Sequence, residues 1–171
     1  MSRISYIQDK ISSIEKAVQK VNIWKLKNNK VVFTNGCFDI LHKGHVTYLA
    51  KAAERGTKLI VALNTDTSVK RLGKGEERPI NNEDARLTVL ASLGFVDLVV
   101  LFDEDTPLET IKSIAPDVLV KGADYDPEET DTSSKKYIVG SDIVKQNGGS
   151  VEVISLVDGF STTGIVNKLK S

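Results

Sequence analysis

The stretch FTNGCFDILHKGHVTYLA, residues 33–50, contains the only two histidines of the 171-residue chain. His42 and His45 stand three apart, with Gly44 between them. An imidazole serves as a metal ligand, a general acid or base, or a hydrogen-bond donor to an anion. A metal site lacks a third ligand nearby: Cys37 is the single cysteine, and no HExxH pattern occurs. An ordinary turn carrying two polar residues is a second possibility. A pair of donors aimed at a phosphate accounts for more of the pattern. It explains the glycine, which permits close approach, and the start of a helix, whose free amides favour an anion.

Other residues offer the same kind of chemistry. Ser161, Thr162 and Thr163 open the last helical stretch, where a cap needs only one hydroxyl. Lys121 and Gly122 close the run DVLVKG, so the ammonium leaves a strand end and can meet a phosphate as a point charge; a solvated strand end is the plainer alternative. Lys70, Arg71, Lys74 and Arg78 form a basic patch beside GKGEERPI, a glycine-rich loop of the sort that closes over ligands. Asp39, three residues before His42, could orient an imidazole, but reads better as a structural carboxylate that holds the loop by capping amides. Arg86 lies in a helical stretch, where a surface ion pair is the usual outcome.

These residues need a scaffold, and the hydrophobic pattern supplies one. Apolar residues at 4, 7, 11, 14, 18 and 21 have helical spacing and predict an amphipathic helix over residues 4–21. KVVFTNG, KLIVALN, VDLVVLF, PDVLVKG and SVEVISL read as strands. GHVTYLAKAAERG, TDTSVKRL, NNEDARLTVLASLG, TPLETIKSIA, KYIVGSDIVKQNGG and STTGIVNKLKS read as helices between or after them. Strands alternating with helices imply parallel pairing and right-handed crossovers. The expected fold is α/β, a Rossmann-like doubly wound parallel sheet of about five strands with an extra N-terminal helix. In such sheets the ligand sits beyond the carboxyl ends of the strands, at the topological switch point. Both histidines fall there.

Composition narrows the partners. Lys plus Arg equals Asp plus Glu at 23 each, so the net charge is zero. That argues against a protein that binds nucleic acid or a membrane surface by bulk charge. A small anion held by local basic groups fits. One cysteine excludes an internal disulfide and suits a reducing cytoplasm. No apolar run reaches membrane-spanning length, and the N-terminus lacks the apolar block of a signal peptide. The expected location is cytoplasmic.

GCFDILHKGH resembles the HxGH motif of the nucleotidyltransferase superfamily, and STTGI resembles its second signature. Together with RPINNEDAR, DEDTP, PDVLVKGADYDPEE, NGG and STTGIV, the set is similar to the adenylyltransferase domains that make ADP-heptose. The resemblance runs from about Lys30 to the end. It implies that residues 29–171 form a nucleotidyltransferase domain behind a helical extension over 1–28. It also implies a reaction: heptose 1-phosphate plus ATP gives ADP-heptose and pyrophosphate by in-line displacement. His42, His45 and Lys121 would be catalytic. Cys37, Phe38, Gly44, Asp124, Ser161, Thr162 and Thr163 would bind nucleotide, and Lys70, Arg78 and Arg86 would bind substrate. Mg²⁺ would arrive on the triphosphate, since no dedicated carboxylate cage is visible.

The resemblance further implies a stand-alone form, a homodimer, and a separate heptose kinase as pathway partner. TDTSSKKY, residues 130–137, departs from the pattern as an insertion near the base and sugar sites. Two alternatives stay open. One keeps the chemistry with other substrates, as in a GTP-using heptose enzyme or a glycerol-3-phosphate cytidylyltransferase. The other is a nucleotide-binding regulatory module without turnover.

Overall fold

The computed structural model describes residues 2–73, 75 and 77–170. Lys74 of the basic patch lies outside the described residues. The N-terminal segment folds as α1 (Arg3–Gln8), β1 (Ile11–Ser12) and α2 (Ile14–Leu26), which corrects the single helix expected over residues 4–21. Ser13 causes the restart: it is extended, and its hydroxyl accepts from Lys16 N to cap α2. Just before it, the Lys10 carbonyl accepts from Val99 N at 2.8 Å and Ile11 pairs with Val99. The helical spacing therefore spans two helices and a two-residue strand.

The five apolar runs are strands: β2 (Val31–Gly36), β3 (Lys58–Asn64), β4 (Leu98–Phe102), β5 (Val118–Gly122) and β6 (Ser150–Ile154). Between and after them lie α3 (Lys43–Ala53), α4 (Asp66–Arg71), α5 (Glu83–Ala91), α6 (Leu108–Ile114), α7 (Ser141–Gln146) and α8 (Thr162–Lys170). The sheet order is β1-β4-β3-β2-β5-β6, every pair parallel. The fold is thus the expected α/β doubly wound sheet, with six strands instead of about five. No helix among the described residues is long and apolar enough to cross a membrane.

Side-chain alternation along the strands builds two cores. Val32, Leu59, Val61 and Leu63 face α3 and α5, meeting Leu49, Ala52, Leu87 and Leu90. Val31, Phe33, Ile60 and Ala62 face α2, α6 and α7, meeting Ala17, Val21, Ile111 and Val144. A sheet buried on both faces needs such continuous apolar strands. Gly56 closes the turn from α3 to β3; a Cβ there would lie 2.5 Å from the Lys30 carbonyl oxygen. Winding runs β2, β3, β4 toward one edge, then returns to β5 beside β2. The switch point is between β2 and β5, where Val32 and Phe33 pair with Val118 and Leu119. The loop after β2 therefore opens over the crevice that such a sheet provides for ligands.

Candidate active site

Residues 37–42 connect β2 to α3 across the switch point. Phe38 adopts a left-handed backbone (φ 45°), a strained conformation for a bulky residue that its surroundings must hold. Its ring stands edge-on to His45, centroids 5.2 Å apart. His42 is the N-cap of α3: its Nδ1 accepts from His45 N at 3.4 Å. That bond places the proton of the neutral ring on Nε2, leaving a donor. The two imidazoles stack, centroids 3.8 Å apart and planes 20° from parallel. They form one stacked pair. The glycine has a packing reason of its own, because a Cβ on it would meet the His42 ring at 3.0 Å and Phe160 Cβ at 3.2 Å.

His45 is mostly buried, and burial, helped by the neighbouring His42, lowers its pKa to about 4. Among the described residues Nδ1 is buried with no hydrogen-bond partner, while the Ile40 backbone favours the charged ring. Burial also lowers the pKa of His42. Both rings are therefore neutral N–H donors at neutral pH. In the unfolded chain His45 protonates near its ordinary value of 6.5. Between that value and about 4 the unfolded state binds more protons, so stability falls as pH drops through this window. This group alone contributes a loss of at most about 3 kcal/mol there. His45→Gln should show a flatter dependence of Tm on pH; parallel curves would contradict the shift.

Two cavities meet at this loop. The larger, about 550 Å³, lies over the strand ends and is lined by Asn35, Asn64, Tyr48, Lys121, Asp124 and Tyr125, among others. The smaller, about 440 Å³, lies between Asp39, Arg78 and the start of α8 at Thr162 and Thr163. Cys37, Phe38 and His45 line both. A substrate extending from one cavity into the other passes His45.

The structure brings most of the expected residues to these cavities. Lys121 is nearly buried; its Nζ donates to Asn35 Oδ1 at 2.6 Å and lies 5.3 Å from the Tyr125 ring centre. Asp124 lines the larger cavity. Ser161 caps α8 by accepting from Gly164 N at 3.0 Å, which leaves Thr162 and Thr163 as the residues facing the smaller cavity. Arg78 also lines it, its Nε donating to Asp39. Asp39 is buried and accepts from Ile80 N and Asn81 N as well, so it pins segment 78–81 to the His42 loop.

Three basic residues of the expected set sit elsewhere. Lys70 is exposed on α4 and lines neither cavity. Arg71 is held by Asp105 and Asp103. Arg86 has a fully buried side chain behind the loop. Its guanidinium donates to Cys37 O at 2.8 Å, Asp66 Oδ1 at 2.8 Å and Asn81 O at 3.1 Å. It faces neither cavity.

Sequence reasoning passed over Asn35 and Asn64, which end neighbouring strands, and Tyr48 on α3. The only signal in the sequence was a polar residue at the carboxyl end of each run, and it points to the ligand crevice only once β2 and β3 lie side by side. Tyr48 shares a hydrogen bond of 2.8 Å with Thr34 and donates to Val120 O at 3.1 Å. Burial raises its pKa, so the phenol stays protonated. Among the described residues, no three His, Cys, Asp or Glu side chains form a metal-binding group.

The chain is similar to known proteins in sequence and in fold. The bifunctional protein HldE of Campylobacter concisus is 57% identical over 163 residues, 95% of this chain and 31% of that protein. HldE of Azorhizobium caulinodans is 52% identical over 93% of this chain and 31% of its own length. The chain thus spans about a third of these relatives. A crystal structure of the lipopolysaccharide core biosynthesis protein from Thermoplasma volcanium GSS1 superposes with a TM-score of 0.57 at 27% identity, covering 75% of this chain and 97% of that one. Pantoate-beta-alanine ligase from Francisella tularensis shares the fold, with a TM-score of 0.60 at 16% identity over 94% of this chain and 76% of that one. The sequence model of the cytidylyltransferase-like family matches residues 33–166, from β2 into α8, and the chain belongs to that family of nucleotidyltransferases.

Proposed function

We propose that this chain is an adenylyltransferase that joins a heptose 1-phosphate to ATP, giving ADP-heptose and pyrophosphate. The observation that carries the reading is the meeting of two cavities at His45. The smaller, under Thr162 and Thr163 at the start of α8, suits the β- and γ-phosphates, with helix amides toward the anion. The larger takes the adenosine on the β5 side, beside Asp124, and the acceptor over the remaining strand ends. The α-phosphorus then lies at the junction. The identity to HldE and the motif set together favour a heptose acceptor.

An oxygen of the acceptor phosphate attacks the α-phosphorus. The new P–O bond forms as the bond to the bridging oxygen breaks, and that electron pair leaves with pyrophosphate. Positioning and charge stabilisation do the work in such a transfer. The neutral N–H of His45 donates to the oxygens where charge builds, and His42 holds the ring and the loop in register. Lys121 supplies a fixed positive charge at the strand ends. Cys37 and Phe38 form the wall at the junction. Mg²⁺ would ride on the phosphates, since Asp39 already uses both oxygens on Arg78, Ile80 and Asn81. A homodimer, a separate heptose kinase and a cytoplasmic setting belong to the same reading.

A pyrophosphate-release panel of nucleoside triphosphates against sugar 1-phosphates, both heptose anomers included, tests it. ATP with a heptose 1-phosphate should give the highest kcat/KM. Turnover with CTP or GTP instead of ATP would overturn the nucleotide assignment. Silence across the panel would favour a binding module.

A further inference from the structure

Segment 130–137, the departure from the resembling pattern, reaches the larger cavity. It is a built turn. The Glu129 carboxylate accepts from Thr130 N and Asp131 N, and Asp131 accepts from Ser133 N at 2.9 Å. Ser134 N donates to Asp131 O, Tyr137 N to Ser134 O, and Asp126 N to Lys136 O at 2.9 Å. Downstream, Ile138 is fully buried in the core with Ile111 and Ile114 of α6. With both ends fixed, Lys135 and Tyr137 stand on the cavity wall.

The other cations that line the two cavities, Lys121 and Arg78, have acceptors within the protein. Lys121 donates to Asn35, Arg78 to Asp39, Arg86 to Asp66 and Arg71 to Asp105. Lys135 is exposed and has no hydrogen bond or ion pair among the described residues. It lines the larger cavity and not the smaller. Two parts of the substrates belong in the larger cavity. The nucleoside is neutral, whereas the acceptor's phosphate monoester carries close to two negative charges at neutral pH. An exposed ammonium on a hydrogen-bonded turn matches the second.

We infer that Lys135 is an acceptor-binding residue whose ammonium meets the phosphate of the sugar 1-phosphate, making segment 130–137 a specificity element of this site. The inference rests on the function proposed above. Steady-state kinetics of Lys135→Ala, with acceptor varied at saturating ATP, test it. The acceptor KM should rise about tenfold, as for loss of one charge-assisted contact. The kcat, the KM for ATP and the thermal midpoint should stay at parental values, because the side chain bonds nothing among the described residues. Lys135→Arg should keep the parental acceptor KM, and added salt should raise the acceptor KM of the parent more steeply than that of the alanine variant. An unchanged acceptor KM, or a rise confined to ATP, overturns the inference. Turnover by the parent enzyme tests the proposed reaction. The ratio of variant to parent, on whichever sugar 1-phosphate turns over, tests Lys135, so the two fail separately.

Discussion

His45→Ala lowers kcat by about 10²–10⁴-fold, the range for losing a donor or acid that acts on developing charge. ATP affinity should change by less than about tenfold, because the contact strengthens only as the α-phosphate reaches its transition state. The position of the ring motivates the asymmetry: His45 lines both cavities and so stands where the proposed transfer would occur. His42→Ala should follow the same trend with a larger share in binding, since it also removes the α3 cap. Equal losses of turnover and affinity in His45→Ala would make it a ground-state binding residue. A metal role predicts a different result, in which a transition metal copurifies and chelation reproduces both substitutions.

Arg86→Met removes about 3–5 kcal/mol of stability, the cost of breaking a buried pair and stranding its partners. The guanidinium ties three separate segments: the Cys37 carbonyl, the Asp66 carboxylate and the Asn81 carbonyl. Methionine fills much of the volume and satisfies none of them. For a domain of this size the thermal midpoint should fall by about 10 °C. Lysine should rescue little, because one ammonium cannot reproduce a three-way planar fork. The substrate-contact reading of Arg86 expects the reverse, a raised KM with an unmoved midpoint. Measuring both quantities on the same preparation decides between them.

The contrast between these two residues shows what a sequence exposes. His42, His45 and Gly44 are legible because rare residue types coincide with a change of pattern from strand to helix. Arg86 is legible as a residue and not as a direction: helical spacing does not say whether a long side chain turns toward the crevice or inward beneath a loop. Lys70 is a similar case; its place near the end of α4 leaves it in solvent. The five long strands were legible as apolar runs between turn signals. The short β1 was not, because Ile7 and Ile11 pack in one core while Ile14 and Val18 pack in the other. Their spacing imitates one helix although they serve opposite faces of the sheet. Asn35 and Asn64 became meaningful only once β2 and β3 were placed side by side.

That small strand has a further consequence. β4 would otherwise end the sheet as a row of unpaired amides and carbonyls, the kind of border that recruits stray chains. Lys10 O, Ile11 and Ser12 occupy that border, and the Lys10 ammonium fastens the segment to the Leu93 carbonyl at 2.9 Å. A fragment beginning at the first motif residue would keep the chemical groups discussed above and lose this hem. Its weakness would be colloidal before it was catalytic, and the N-terminal residues therefore matter most to how the protein behaves in a crowd of its own copies.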